Sequence, residues 1–148
     1  MKFFTMEWWL SCQRPGPRRD AAGEWRRYFE QIRPRLPASV MTLVETNLHD
    51  ASLRDLHISV ADAKVVMLFD GIAWDENVSR RRLTFTGTSA MQFSVDSKNG
   101  LDPLAGFGDF GYWEIDVCDE GFEYRGLFSN GIELLLRFQD VAIEDYAK

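Results

Sequence analysis

His49, Asp50 and His57 are the residues of this chain whose types most readily do chemistry, since two imidazoles and a carboxylate can bind a divalent metal or relay a proton. Their spacing is not the H-E-x-x-H of a helical zinc site, and no further ligand stands out beside them. An Asp at the entry to a strand also commonly just turns or caps the chain. A metal-dependent enzyme using His49, Asp50 and His57 is therefore the alternative expectation. Glu114, Asp116 and Glu123 form a second group, and crowded carboxylates raise one another's pKa or collect a cation. Arg125 and Arg137 fall across from two of them in a hairpin reading, so cross-strand ion pairs on a solvated face are expected.

Other motifs argue against catalysis. Gly106-Phe107-Gly108-Asp109-Phe110-Gly111 precedes a strand, does not open a helix and lacks the Lys of a phosphate loop, which leaves tight turns. There is no G-x-S-x-G, and neither Cys12 nor Cys118 has an adjacent base. The two cysteines lie far apart and outside any CxxC pair, so free thiols packed like small hydrophobes are expected. No catalytic residue is assigned and no cofactor is expected.

The binding candidates are of two kinds. Trp8 and Trp9 are adjacent on a short helical stretch and cannot point the same way, so one of them is available as a contact anchor. Asp96, Asp102 and Asp109 punctuate a Gly- and Asp-rich stretch from 96 to 110 that reads as a long surface loop. The net charge of −6 is unevenly spread: residues 1–37 carry eight Lys/Arg against four Asp/Glu, and residues 38–148 carry nine against nineteen. The acidic portion argues against nucleic acid, whose phosphates need a basic patch. It favours a basic protein as partner. The arginines of the first part, from Arg14 to Arg35, are expected on a solvated face that also pairs with the acidic sheet.

The elements that would position these residues follow from periodicity. Thr5 is a good N-cap for a helix from Met6 to Gln13, and Asp20 caps a second in which Trp25, Tyr28, Phe29 and Ile32 recur at three- and four-residue spacing. Pro34 and Pro37 break it. Residues 38–46, ASVMTLVET, suit a third short helix or a strand. Strands follow: Leu56, Ile58 and Val60 alternate with polar residues, and 65–69 is a continuous apolar run, which together read as a hairpin over Ala61 to Lys64. Leu83 and Phe85 alternate with threonines, and Met91 to Val95 suits another short strand.

The clearest stretch runs from Gly111 to Glu144. Trp113, Ile115 and Val117 alternate with Glu114, Asp116 and Cys118. A turn at Glu120-Gly121 would set Val117 opposite Tyr124 and Asp116 opposite Arg125. At the next turn a three-residue loop, Ser129-Asn130-Gly131, sets Phe128 opposite Ile132, Tyr124 opposite Leu136 and Glu123 opposite Arg137, matching side-chain character across the ladder. The whole is a single α+β domain over 1–148, mainly helical in 1–46 and mainly antiparallel sheet in 51–144, with N-terminal helices packed on a twisted meander of about five to seven strands. Trp25, Phe29, Ile32, Trp113, Ile115, Val117, Tyr124 and Leu136 are expected to share one core. No apolar run reaches the ~20 residues of a membrane-spanning helix, and the first residues lack a signal-peptide cleavage pattern, so a cytoplasmic location is expected.

Met1-Lys2-Phe3-Phe4-Thr5 with Trp8 and Gln13, then Leu48-His49-Asp50, Tyr112-Trp113-Glu114-Ile115, Gly131-Ile132-Glu133-Leu134 and Phe138-Gln139-Asp140-Val141, form an ordered set of short motifs. In that order the chain resembles small bacterial proteins similar to the immunity proteins that neutralise polymorphic toxins. The resemblance implies no catalytic residues. The acidic balance of residues 38–148, the long loop from 96 to 110 and the lack of a recognisable catalytic set favour a non-catalytic protein-binding domain, immunity-like and inhibiting a basic toxin through its acidic surface.

Overall fold

The computed structural model describes residues 1–72, 75–95 and 106–147. Helix α1 spans Met6–Cys12, α2 Ala21–Ile32 and α3 Ala38–Glu45, with a 3-10 turn at Arg33–Arg35. The hydroxyl of Thr5 accepts from the Trp8 amide, and the Asp20 carboxylate accepts from the Gly23 amide, each satisfying an orphan donor of a first turn. The ambiguous segment 38–46 is helical because Val40 and Leu43, three residues apart, are both fully buried on one face. Its polar face also fits: Thr42 and Thr46 turn their hydroxyls back onto the carbonyls four residues earlier.

Eight strands follow: β1 Ala51–Ser59, β2 Lys64–Asp70, β3 Val78–Thr86, β4 Ala90–Val95, β5 Asp109–Cys118, β6 Gly121–Phe128, β7 Ile132–Phe138 and β8 Asp140–Ala147. The sheet is antiparallel in the order β4-β7-β6-β5-β1-β2-β3-β8, so the expected five to seven strands become eight and the simple meander becomes two. The extra strands arise where two long strands bend. Only Gln139 separates β7 from β8, and residues 87–89 separate β3 from β4. Both arms of one bent strand pair with both arms of the other, and the Gln139 and Ser89 amides carry the ladder round the corner to the carbonyls of Thr86 and Arg137. The two ends of the strand order are thereby joined through the chain, and the sheet closes on itself.

The closed interior is filled by side chains from opposite walls, with Phe85 of β3 against Tyr124 of β6 at 5.9 Å and Phe69 of β2 against Phe110 of β5 at 5.4 Å. Closure is narrow between β1 and β5, which pair only at Ala51↔Phe110 and Ser52↔Asp109. Helix α2 lies against β5 and α3 against β8, which places Ile32, Val40 and Leu43 in the same core. Ile32, Ile115, Tyr124 and Leu136 are buried in that core, and Trp25, Phe29, Trp113 and Val117 pack against it, as the alternation predicts.

Register shows where sequence patterning succeeds and where it slips. The three-residue loop after Phe128 is present: Tyr124 faces Leu136, Glu123 faces Arg137, and Gly131 takes φ +84°. The preceding turn is instead Asp119-Glu120, with Gly121 already paired to Cys118. Ile115, not Val117, therefore faces Tyr124, and Glu114, not Asp116, faces Arg125. A slip of two residues preserves the faces, so the predicted core survives it. The β1–β2 hairpin turns over residues 60–63, and Ile58 and Val60 are 52% and 88% exposed, because β1 runs out beyond the core at its tip.

The face expected to be solvated is covered. Glu114 is 1% exposed because residues 1–4 bond across it, to Glu114 and Asp116 of β5 and to Glu133 of β7, and Glu123, 4% exposed, is bonded by Arg125 and Arg137. Both carboxylate oxygens of Glu114 accept backbone amides, from Lys2, Phe3 and Phe4, at 2.7 to 2.8 Å. Arg125 bonds Glu123 and lies within 4 Å of Glu114 and Asp116, Arg137 bonds Glu123, and Asp116 accepts from Lys2 and Tyr28. The expected ion pairs are present, but in a buried network. Lys2 and the N-terminal ammonium, which bonds Glu133 at 2.9 Å, reach the acidic sheet, but among the described residues the arginines of the first 37 make no ion pair with it: Arg19 pairs with Glu24 and Arg33 with Glu30.

Candidate functional site

Three structural events near the junction of β1 and β5 build a cleft. Helix α3 ends at Glu45, and residues 47–50 turn the chain into β1, with the Asn47 side chain accepting from the His49 amide and Asp50 held at φ +65°. Asp is one of the few residues that accepts this left-handed conformation, and its amide bonds the Phe110 carbonyl at 2.8 Å. Strand β5 shifts register between Phe110 and Tyr112, a bulge at Gly111 that sends Phe110 inward and Tyr112 outward. The Trp113 indole then donates to the Val44 carbonyl at 3.3 Å, tying β5 to the last turn of α3.

The N-terminal segment supplies the remaining wall. With Phe4 and the start of α1 fixed by Glu114 and the Thr5 cap, the Phe4 ring stacks on Tyr112 at 5.3 Å and Trp8 meets Tyr112 edge-on at 5.0 Å. Trp25 of α2 packs edge-on to Phe4. The result is a cavity of about 600 Å³ lined by Phe4, Trp25, Tyr112 and Trp113, with Glu45, Asn47 and His49 as its polar groups. A smaller cavity of about 170 Å³ shares His49, Gly111 and Tyr112 and adds Trp9, Asp50 and Asp109. The two form neighbouring parts of one site.

His49 Nδ1 lies 3.0 Å from Asp50 Oδ1, and its ring meets Tyr112 edge-on at 5.5 Å. Asp109 accepts from the Ser52 hydroxyl at 3.1 Å. Burial, helped by the nearby Cys12 and Asp50, raises the Tyr112 pKa, so the phenol stays neutral and presents an uncharged ring. Among the described residues no hydroxyl or thiol hydrogen-bonds to His49. The arrangement offers a ligand aromatic walls with carboxylates beside them.

Of the residues singled out in sequence, Trp8, Trp9, His49, Asp50 and Asp109 come together here. His57 does not join His49 and Asp50: it projects from the outer face of β1 into a separate cavity of about 420 Å³ with Asp55, Arg80, Arg82 and Tyr146. After Asp50 the chain runs extended as β1 from Ala51 to Ser59, at about 3.3 Å per residue, which carries His57 along the strand and away from His49 and Asp50. Among the described residues no three His, Cys, Asp or Glu side chains are grouped to hold a metal. Asp96 and Asp102 lie outside the described residues. Sequence reasoning missed Phe4, Trp25, Glu45, Tyr112 and Trp113 as site residues. The one local signal was Gly111, a lone glycine inside an alternating strand, which marks a bulge.

No protein-family model and no curated protein sequence matches the chain. The chemistry of the cleft itself therefore carries the functional reading. No helix among the described residues is long and apolar enough to cross a membrane.

Proposed function

We propose that this chain is a non-catalytic binding domain of the cytoplasm that holds a basic protein partner, in the manner of a toxin-neutralising immunity protein. The observation that carries the reading is the cleft at the end of α3, where aromatic walls stand beside the exposed carboxylates of Glu45, Asp50 and Asp109. Aromatic side chains dominate binding hot spots, and an acidic rim speeds association with a basic protein. The excess of acidic residues in 38–148 extends that field beyond the cleft.

Metal-dependent catalysis has less support, since it needs His57 beside His49 and Asp50, and the three do not meet. Affinity purification on the immobilised protein from source cells, followed by association kinetics of the captured protein at low and high salt, tests the binding reading. A basic partner whose association rate falls with salt, and falls again in the Asp50→Asn, Asp109→Asn double variant, is the expected outcome. Capture of only acidic proteins, or an on-rate indifferent to both salt and the double variant, would overturn it.

A further inference from the structure

We infer that the larger cavity is a cation site, built to seat a guanidinium or ammonium side chain of that basic partner between Tyr112, Trp113 and the C-terminal end of α3. The inference rests on the proposed function for the source of the cation, and on the cavity alone for its chemistry. Four features of the cavity point to positive charge.

The aromatic lining comes from three elements: Phe4 before α1, Trp25 on α2, and Tyr112 and Trp113 on β5. Ring faces attract a cation through their quadrupole, Trp most strongly and Tyr next. Helix α3 ends at the cavity, with Val44 and Glu45 among the lining residues. Its terminal carbonyls carry the negative end of the helix dipole; the Val44 carbonyl accepts the neutral Trp113 indole, and no basic residue of the last turn adds a positive charge there. Glu45 adds a full carboxylate at the same point and makes no ion pair among the described residues. Finally, among the described residues the only basic side chain lining the cavity is His49, whose Nδ1 is directed at Asp50.

This contrasts with the other acidic clusters of the molecule. The carboxylates on the outside of β5 and β6 are already neutralised by Arg125, Arg137 and Lys2, and those on β3 and β8 by Arg81 and Arg82. At the α3 cavity, by contrast, a carboxylate and aromatic side chains meet with no Lys or Arg among the described lining residues. A guanidinium is favoured over a hydrated metal ion, because most of the wall is apolar and offers stacking surface.

The test uses the full chain and two small probes of nearly equal shape, N-acetyl-arginine amide and its neutral counterpart N-acetyl-citrulline amide, titrated while amide and indole NMR signals are followed. The expected result is saturable shifts at Tyr112, the Trp113 indole and Asn47 with the arginine probe and not with the citrulline probe, weakened about tenfold by Glu45→Gln. Glu45 is exposed, so this variant keeps the fold and its spectrum reports that directly. Equal response to the two probes, or shifts scattered over the surface and unchanged in Glu45→Gln, would overturn the cation site. If the arginine probe binds as expected but no basic protein is captured from cells, the site stands and the proposed function falls. If a basic partner binds with unchanged affinity to Glu45→Gln and is not displaced by the arginine probe, the function stands and the cation site falls.

Discussion

Glu114 shows how much one buried side chain can decide. Its carboxylate accepts three consecutive backbone amides and so holds residues 2–4 in place, which in turn places Phe4 against Tyr112 at the cleft. Hydrogen bonds to an ionised acceptor contribute more than neutral ones, and the amide of a glutamine would turn a donor toward one of those N–H groups. Glu114→Gln is therefore expected to lower stability by about 3 kcal/mol in urea unfolding and to expose Trp8 and Trp25 to fluorescence quenchers. A loss under about 0.5 kcal/mol with unchanged quenching would show that the segment is held by its aromatic rings instead. Tyr124 is the opposite case. Its hydroxyl is fully buried, burial drives its pKa far upward, and it has no hydrogen-bond partner among the described residues. Removing a polar group that is desolvated without compensation should help, so Tyr124→Phe is expected to raise stability by about 1 kcal/mol, read from the shift in urea midpoint.

At the scale of the element, two glycines of β6 and its turn carry geometry that no other residue supplies as cheaply. Gly131 holds φ +84° in the three-residue loop that sets the β6–β7 register. At Gly126 the constraint is space, since a Cβ there would lie 2.4 Å from the Phe110 ring, itself fully buried. Gly126→Ala must push Phe110 off β6, and overpacking of this kind costs about 1 to 3 kcal/mol. Phe110 sits beside the Gly111 bulge, so the same variant is expected to disturb the cleft: thermal unfolding should fall and the Trp113 indole signal should move. An unmoved indole in a destabilised Gly126→Ala protein would mean that the bulge is set by β1 pairing alone.

The molecule as a whole depends on ion pairs at two distant places, and both make it sensitive to acid. The Arg81 guanidinium holds Asp145 below its ordinary pKa, outweighing a partial burial that acts the other way. For Asp116 burial is the largest influence and acts upward, but the hydrogen bonds from Lys2 and Tyr28 together overcome it and leave the pKa lowered. A carboxylate that titrates lower when folded binds fewer protons than in the unfolded chain, so its contribution is complete above the unfolded value and is lost as pH falls through the folded one. For Asp145 that window begins near its ordinary value of 3.8 and extends below it. Asp145→Asn should then be less stable than the parent at pH 6 and converge with it by about pH 2, measured as Tm across the series. A gap independent of pH would assign the loss to packing and not to charge.

Local patterning determined much of this protein. The Thr5 and Asp20 caps, the proline stops after Ile32, the alternation from Trp113 onward and the Gly131 loop are each written within a few residues, because each rests on backbone preference or period, which neighbours alone specify. Trp8, Trp9, His49, Asp50 and Asp109 were recognisable by type, but nothing local joined them. Their convergence required the corner strands to bend, the sheet to close at Ala51 and Phe110, and a bulge to turn Tyr112 outward. The same long-range contacts separated His57 from His49 and buried Glu114 beneath a segment more than a hundred positions away. Burial of a charge is a property of what covers it, and here the cover comes from the other end of the chain.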